Sequence, residues 1–470
     1  MASREEIYER IRQSSKEEYI LDEMIRLGFW PRDAGLPEDP REEIRRRQEL
    51  EQLLKSLTTE GRRLADVERA KRELRKRRMQ ESRQRRKETK LRRLRERQER
   101  AEAWRRRLDQ EVLYLGEGVS GALNQTGVDR DKLGRLGLPV LTDAAQLAAA
   151  MGIRVGELRF LSFARRTSTV NHYRRFQIPK KTGGLRLISA PMPRLKRAQE
   201  WVLRNILEKV AIHDAAHGFR QGRSIVSNAA PHAAAEVVVN LDVEQFFPTI
   251  TFRRIKGVFH SLGYSEQVAT VLALLTSEPT IQEVELDGVL YHVAGPERFL
   301  PQGAPSSPAL TNIICRGLDA RLARIAEDLG FRYTRYADDM TFSGSGPARG
   351  NVNRLLSRVR HVVEQEGFRV HPDKTRVLRR GRRQEVTGLV VNHRVNIPRA
   401  TLRRFRAVLY QIERDGPAGK HWGGGPDVLA SIEGFANFAA MVDPELGELR
   451  SRVRAILERE RRPRPRRREP

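Results

Sequence analysis

Two adjacent acids, Asp338 and Asp339 in the string Tyr336-Ala337-Asp338-Asp339, lie 96 residues beyond a third, Asp242, in Asn240-Leu241-Asp242-Val243-Glu244-Gln245-Phe246-Phe247. Aromatic and threonine-rich runs flank the pair, Phe331 to Tyr336 before it and Met340 to Ser343 after it, so the pattern reads as strand, turn, strand. The β-rich run Ala235 to Leu241 reads as a further strand that ends at Asp242. Carboxylates fixed side by side repel unless a proton or a cation joins them, and a purely structural turn would more often carry Asn-Gly or Asp-Gly. Three carboxylates from two strand ends can hold two hard divalent cations through oxygen ligands. A metal pair about 4 Å apart activates an attacking oxygen and stabilises a leaving one, which points to phosphoryl transfer between nucleotides.

Charge says what the chain handles. Its 470 residues carry a net charge of +28 and a pI of about 10.9, far beyond what solubility needs, so a polyanionic partner such as nucleic acid is expected. No apolar run reaches membrane-spanning length and the first residues lack a signal-peptide pattern, so no membrane partner and a cytoplasmic location are expected. Cys315 is the only cysteine, which excludes an intramolecular disulfide and a cysteine-cluster zinc site.

The charge is unevenly spread. Gly61 to Arg107 holds 22 Lys or Arg against 8 Asp or Glu, half of the net excess, with apolar residues too sparse for a core. Residues 1–115 are therefore read as a basic helical extension, serving either as a solvated face or as a nucleic-acid contact. Glycines at 116, 118, 121, 127, 134 and 137 mark 116–140 as a linker. Globular sequence follows from 141. Short helices are expected over 143–151 and 155–164, a hairpin over 173–188, and an amphipathic helix over 194–210 with Trp201, Leu203, Ile206 and Leu207 available for its buried side. One helix is expected over 308–329 and three more over 399–414, 426–441 and 445–461. The Pro- and Arg-rich tail 462–470 is expected to be disordered.

Further segments stand in the order and spacing of a reverse transcriptase, which the chain resembles over about residues 140–455. Leu300-Pro301-Gln302-Gly303-Ala304-Pro305-Ser306-Ser307-Pro308 resembles the loop and helix start that support template and incoming nucleotide, with Gln302 in the matching position. Arg186, after Lys180-Lys181-Thr182-Gly183-Gly184, is similar to the fingers arginine that grips the triphosphate, with Lys180 or Lys181 beside it. A planar donor fork matches phosphate oxygens. Phe247 matches the aromatic position that closes over the sugar and favours dNTPs. The resemblance implies an α+β right-hand polymerase with fingers and palm over 141–375 and a thumb over 376–461.

Two shorter strings resemble elements of bacterial retron reverse transcriptases. Asn228-Ala229-Ala230-Pro231-His232 matches their Asn-Ala-x-x-His element, and Val386-Thr387-Gly388 their Val-Thr-Gly element near the thumb. The resemblance implies that Asn228, His232, Val386, Thr387 and Gly388 serve RNA recognition, that Asp242, Asp338 and Asp339 ligate two Mg²⁺ ions, and that His232 takes no part in the chemistry. It further implies a structured noncoding RNA as cognate partner, priming from a guanosine 2′-hydroxyl, a branched RNA–DNA product held as a hybrid, and antiphage defence with an effector protein. Two alternatives stand beside it. One is another bacterial reverse transcriptase, of the group II intron or abortive-infection type, although the 131 residues after Asp339 show no Cys or His nuclease cluster. The other is a catalytically silent RNA-binding scaffold, against which stand the three acids, Gln302 and Arg186.

Overall fold

The computed structural model describes residues 3–13, 16–30, 40–179 and 183–461. Lys180, Lys181 and the tail 462–470 lie outside the described residues. Two compact units divide between Ala103 and Trp104.

The smaller unit holds α1 (Arg4–Gln13), α2 (Lys16–Arg26), α3 (Pro40–Ala65) and α4 (Val67–Gln110) as far as Ala103. Acids in the first turns and arginines in the last complement the helix dipoles, and α2 buries only Leu21. At 1.5 Å per residue the 44 residues of α4 extend about 66 Å. Leu74, Met79, Leu91 and Leu94 are exposed along it. Its local support is from ion pairs one turn apart, Arg69–Glu73 at 3.9 Å, Arg92–Glu96 at 3.8 Å and Arg100–Glu96 at 3.6 Å, each contributing about 0.3 kcal/mol. The 100° step between residues spreads lysines and arginines over the whole circumference: Lys71, Arg75, Arg78 and Arg93 lie on one side, and Arg77, Arg92 and Arg95 lie opposite, among Glu73, Glu81, Glu88 and Glu99.

In the larger unit the stretch read as a linker is packed. Val112, Leu115, Leu123, Leu133 and Leu138 are buried in the main core, Asp129 caps α5 (Arg130–Arg135), and the Ala164 amide donates to the Leu115 carbonyl at 2.7 Å. Leucines spaced between the glycines supply enough apolar surface to dock, which the glycine count hides. The expected boundary at 115 thus falls inside a packed region.

Asp143 caps α6 (Ala144–Ala150), and α7 (Val155–Ser162) follows. After the short β1 (Thr167–Ser168), β2 (Tyr173–Pro179) and β3 (Leu185–Pro191) make the expected hairpin. Proline opens α8 (Pro193–Asn205), which buries Leu195, Ala198 and Val202, while Trp201 and Leu203 stay partly exposed. A Ser224–Ser227 capping box starts α9 (Ile225–Ala229). Next come β4 (Val237–Asp242), α10 (Phe252–Ser261), α11 (Glu266–Leu275), buried from Gln267 onwards, and a long exposed hairpin of β5 (Glu278–Leu286) and β6 (Val289–Phe299). The helix expected over 308–329 breaks at Cys315 into α12 (Ser307–Ile314) and α13 (Arg316–Asp328).

The acidic pair sits between β7 (Phe331–Tyr336) and β8 (Asp339–Gly344), followed by α14 (Val352–Gln365) and β9 (Arg376–Arg379). These strands form an antiparallel sheet in the order β7-β8-β4-β9, with α13 packed on β7 and α14 on α13. A two-stranded hairpin, β10 (Glu385–Val386) and β11 (Leu389–Val390), leads to α15 (Arg399–Asp415), α16 (Val428–Val442) and α17 (Gly447–Arg461). The last three helices share a second core around Phe405, Leu409, Trp422, Ile432 and Val453. Arg452 clamps α17 to α15 through both oxygens of Glu413, at 2.9 and 2.7 Å. Arg399, Arg403, Arg404 and Arg406 line the outer side of α15.

Candidate active site

Val237, Val238, Val239 and Leu241 are buried, so β4 runs through the core and brings Asp242 to the end of the sheet. Antiparallel pairing places Asp339 directly across from Asp242, and Tyr336 across from Asp339, leaving Ala337-Asp338 as a two-residue turn. Ala337 has φ +56°, the left-handed region that such turns require. The Val243 amide donates to the Asp338 carbonyl at 3.1 Å, and the His371 amide to the Asp242 carbonyl at 2.8 Å. Asp242 and the Asp338–Asp339 pair, 96 residues further on, are thereby stitched to one sheet end.

Electrostatics there are unfavourable to the charged form. Burial, then Asp242, raise the Asp338 carboxyl above its ordinary range, opposed by Lys374 and Arg186. Asp339 opens to solvent but is crowded by protein on most sides, and this, with Asp338 and Asp242, pushes it up to about 7. Lys374 Nζ donates to Asp242 Oδ1 at 2.8 Å. Sequence reading missed this lysine, because a Pro-Asp-Lys turn carries no signal until folding brings it beside Asp242.

The three carboxylates are the hard oxygen donors that divalent ions take. Among the described residues no group of three His, Cys, Asp or Glu is already gathered around an ion position. Asp242 is held by Lys374 instead. The donor set fits in type and adjacency, with Lys374 bonded to Oδ1 of Asp242.

The other expected residues lie around this end. Arg186 is exposed on β3, and its charge is felt at Asp338. The Ser189 amide donates to the Gln302 carbonyl at 2.8 Å, tying the Gln302 loop to the hairpin that carries Arg186. Gly303 makes that approach possible: at φ +121°, a Cβ there would stand 2.9 Å from Ile188 Cγ2. Phe247 is half-buried and meets the fully packed Phe246 edge to face at 5.6 Å. Of the two phenylalanines only Phe247 has surface to offer a sugar.

Most of the residues assigned to RNA recognition are interior. Asn228 and His232 are fully buried, and Val386 is 1% exposed. His232 bonds Ser343 Oγ and Thr334 Oγ1, both at 2.7 Å, and so joins β8 to β7 behind the acids. Burial lowers its pKa to about 3, so the ring is neutral. As they stand, these three side chains offer RNA no surface, and among the described residues both polar atoms of the Asn228 amide are buried without a hydrogen-bond partner. Thr387 and Gly388, with φ +47° and +83°, form the β10–β11 turn and keep accessible surface.

Sheet order, acids at adjoining strand ends and a separate C-terminal helical core together place the chain among right-hand nucleic-acid polymerases, with fingers, palm and thumb. The family model described as reverse transcriptase (RNA-dependent DNA polymerase) matches residues 178–394. The Retron Mx162 reverse transcriptase of Myxococcus xanthus is 44% identical over 366 residues, 74% of this chain and 74% of that protein. The Retron Mx65 reverse transcriptase of the same organism is 42% identical over 326 residues, 69% of this chain and 74% of its own. A solved foamy viral protease-reverse transcriptase dRH in complex with ds DNA aligns with TM-score 0.35 and 14% identity, covering 63% of this chain and 41% of that one. The chain belongs to the bacterial retron reverse transcriptases and is an RNA-directed DNA polymerase.

Proposed function

We propose that this polymerase copies part of a cognate structured noncoding RNA into DNA, priming from a guanosine 2′-hydroxyl and leaving a branched RNA–DNA molecule that serves antiphage defence with an effector protein. What supports the retron-specific reading is the 44% identity with the Mx162 relative across most of both chains. Among the described residues no helix is long and apolar enough to cross a membrane, and we place the protein in the cytoplasm.

Reverse transcriptases generally use divalent ions. Asp242, Asp338 and Asp339 would hold two Mg²⁺ ions, which when bound lower the pKa of the attacking hydroxyl and neutralise charge developing on the leaving pyrophosphate. The remaining work falls to the chain itself. Arg186, with Lys180 or Lys181, grips the triphosphate through charge-assisted hydrogen bonds. Phe247 packs beneath the sugar and rejects a 2′-hydroxyl. Gln302 supports template and incoming nucleotide from a loop fixed to the fingers hairpin. Catalysis comes from positioning and charge stabilisation, with no protein nucleophile. Thr387 and Gly388 meet the RNA, the interior Asn228, His232 and Val386 shape the joint that presents them, and the arginines of α15 follow the backbone of the hybrid.

The test is to purify the protein with its nucleic acid and sequence both strands. Branched RNA joined to a short DNA is the expected result; heterogeneous cellular RNA would refute the retron product while leaving the polymerase.

A further inference from the structure

Directly beneath the acidic turn lies an ion pair without solvent contact. Arg335 and Asp319 are both 0% exposed. Arg335 Nε and Nη2 donate to the two oxygens of Asp319 at 2.8 and 2.7 Å, Nη2 also to Asn312 Oδ1 at 3.1 Å, and Nη1 to the carbonyl oxygen of Ala337 at 3.0 Å. Tyr333 Oη donates to Asp319 Oδ1 at 2.9 Å, which further fixes the carboxylate on α13.

Stability alone does not explain such a pair. Removing two charges from water costs about as much as their attraction returns, and apolar replacements of similar volume are often as stable. The guanidinium does something an apolar pair cannot: it bonds the carbonyl of the peptide that joins Ala337 to Asp338. That peptide plane sets the direction from which Asp338 leaves the turn. The other side of the turn is closed by backbone, since a Cβ on Gly218 would stand 2.6 Å from the Ala337 nitrogen. Asn312 anchors this strap too, its Nδ2 donating to the Gly218 carbonyl at 2.9 Å. A left-handed alanine at φ +56° persists where its surroundings over-determine it.

We propose that the Asp319–Arg335 pair is the positioning element of the catalytic turn, acting through the Ala337 carbonyl to hold Asp338 and Asp339 in the geometry that gathers the reacting groups. The inference rests on the reading of those acids as the reaction centre. Arg335 and Asp319 touch neither substrate nor ion; they act through the turn. A lysine at 335 keeps the charge, but its single nitrogen cannot span Asp319, Asn312 and Ala337 together.

The experiment uses the full chain with Arg335→Lys, the apolar pair Asp319→Leu with Arg335→Met, and Asp338→Asn as control. Melting temperature, hydrogen exchange of the turn without Mg²⁺, Mg²⁺ titration of the melting temperature, and kcat and KM for dNTP on a primed template are read for each. The apolar pair orphans Asn312 Oδ1, the Ala337 carbonyl and the Tyr333 hydroxyl, so it is expected to melt below the parent yet stay folded at the assay temperature, while turn exchange speeds up beyond that of the rest of the chain and the Mg²⁺ midpoint rises. Its kcat is expected to fall about tenfold or more with KM changed less than about threefold, the signature of lost transition-state alignment. If the apolar pair does not fold, Arg335→Lys decides: unchanged kcat and turn exchange per folded molecule overturn the proposal, and a selective loss upholds it. Retained synthesis by Asp338→Asn would refute the site assignment instead, and the exchange measurement still judges the clamp.

Discussion

Asparagine at 338 or 339 keeps the shape of the carboxylate while removing a charge that burial and neighbouring acids disfavour. Each single variant, and Asp242→Asn, is therefore expected to fold, with Asp338→Asn and Asp339→Asn melting slightly higher than the parent in chelator. Primer extension at saturating Mg²⁺ is expected to drop about a hundredfold or more; near-parental dNTP incorporation by any of the three would remove the two-ion assignment. The neighbouring phenylalanines separate differently. Phe247→Ala is expected to raise the rNTP to dNTP ratio of kcat/KM, whereas Phe246→Ala, which opens a cavity in the core, is expected to cost about 3–5 kcal/mol in denaturant unfolding. An unmoved ratio for Phe247→Ala would place the gate elsewhere. The three acids and Arg186 could be singled out in the sequence by residue type and spacing, and the fold brings them to one end of the sheet. Asp319 could not, because nothing in Arg316–Asp328 says which of its three acids turns inward to meet Arg335.

At the scale of elements, the hairpin carrying the acids and the thumb helices were legible from their periodicity. The β5–β6 hairpin was not, since its exposed strands mix glutamates with apolar residues and bury no regular side. The Asn-Ala-x-x-His segment was legible as a string but not as a role. Its folded place makes His232 a brace between β7 and β8, and that has a pH signature. Its folded pKa, about 3, lies below the ordinary 6.5, so the unfolded chain binds a proton that the folded chain does not. Stability from this site is complete above pH 6.5 and is lost as pH falls towards 3, by roughly 5 kcal/mol in all. The stability gap between the parent and His232→Asn is expected to narrow over that window in urea titrations; a constant gap would show that the ring protonates without cost. Thr387→Ala is expected to impair initiation on the cognate RNA more than extension of an annealed primer, whereas Asn228→Ala is expected to weaken both alike. Equal losses for Thr387→Ala would make its turn structural.

For the whole molecule, the burial of Val112 and Leu115 in the main core sets where a truncation should fall. Deleting 1–103, the smaller unit, is expected to spare extension at saturating nucleic acid, while deleting 1–115 also strips core residues and is expected to destabilise the polymerase. Across a salt series the shorter deletion is expected to flatten log K against log salt by about 0.9 per lost phosphate contact on duplex, or about 0.7 on single strands. An unchanged slope would exclude α4 from nucleic-acid contact.

The charging of α4 reaches further than affinity. A rod that carries lysines and arginines all round its circumference repels a second rod of the same kind. Protein stripped of nucleic acid is therefore expected to sediment as monomers in dilute buffer, and to associate only when a duplex long enough to lie against two rods neutralises both. Pairs in dilute buffer without nucleic acid would mean that the rods meet through something other than charge.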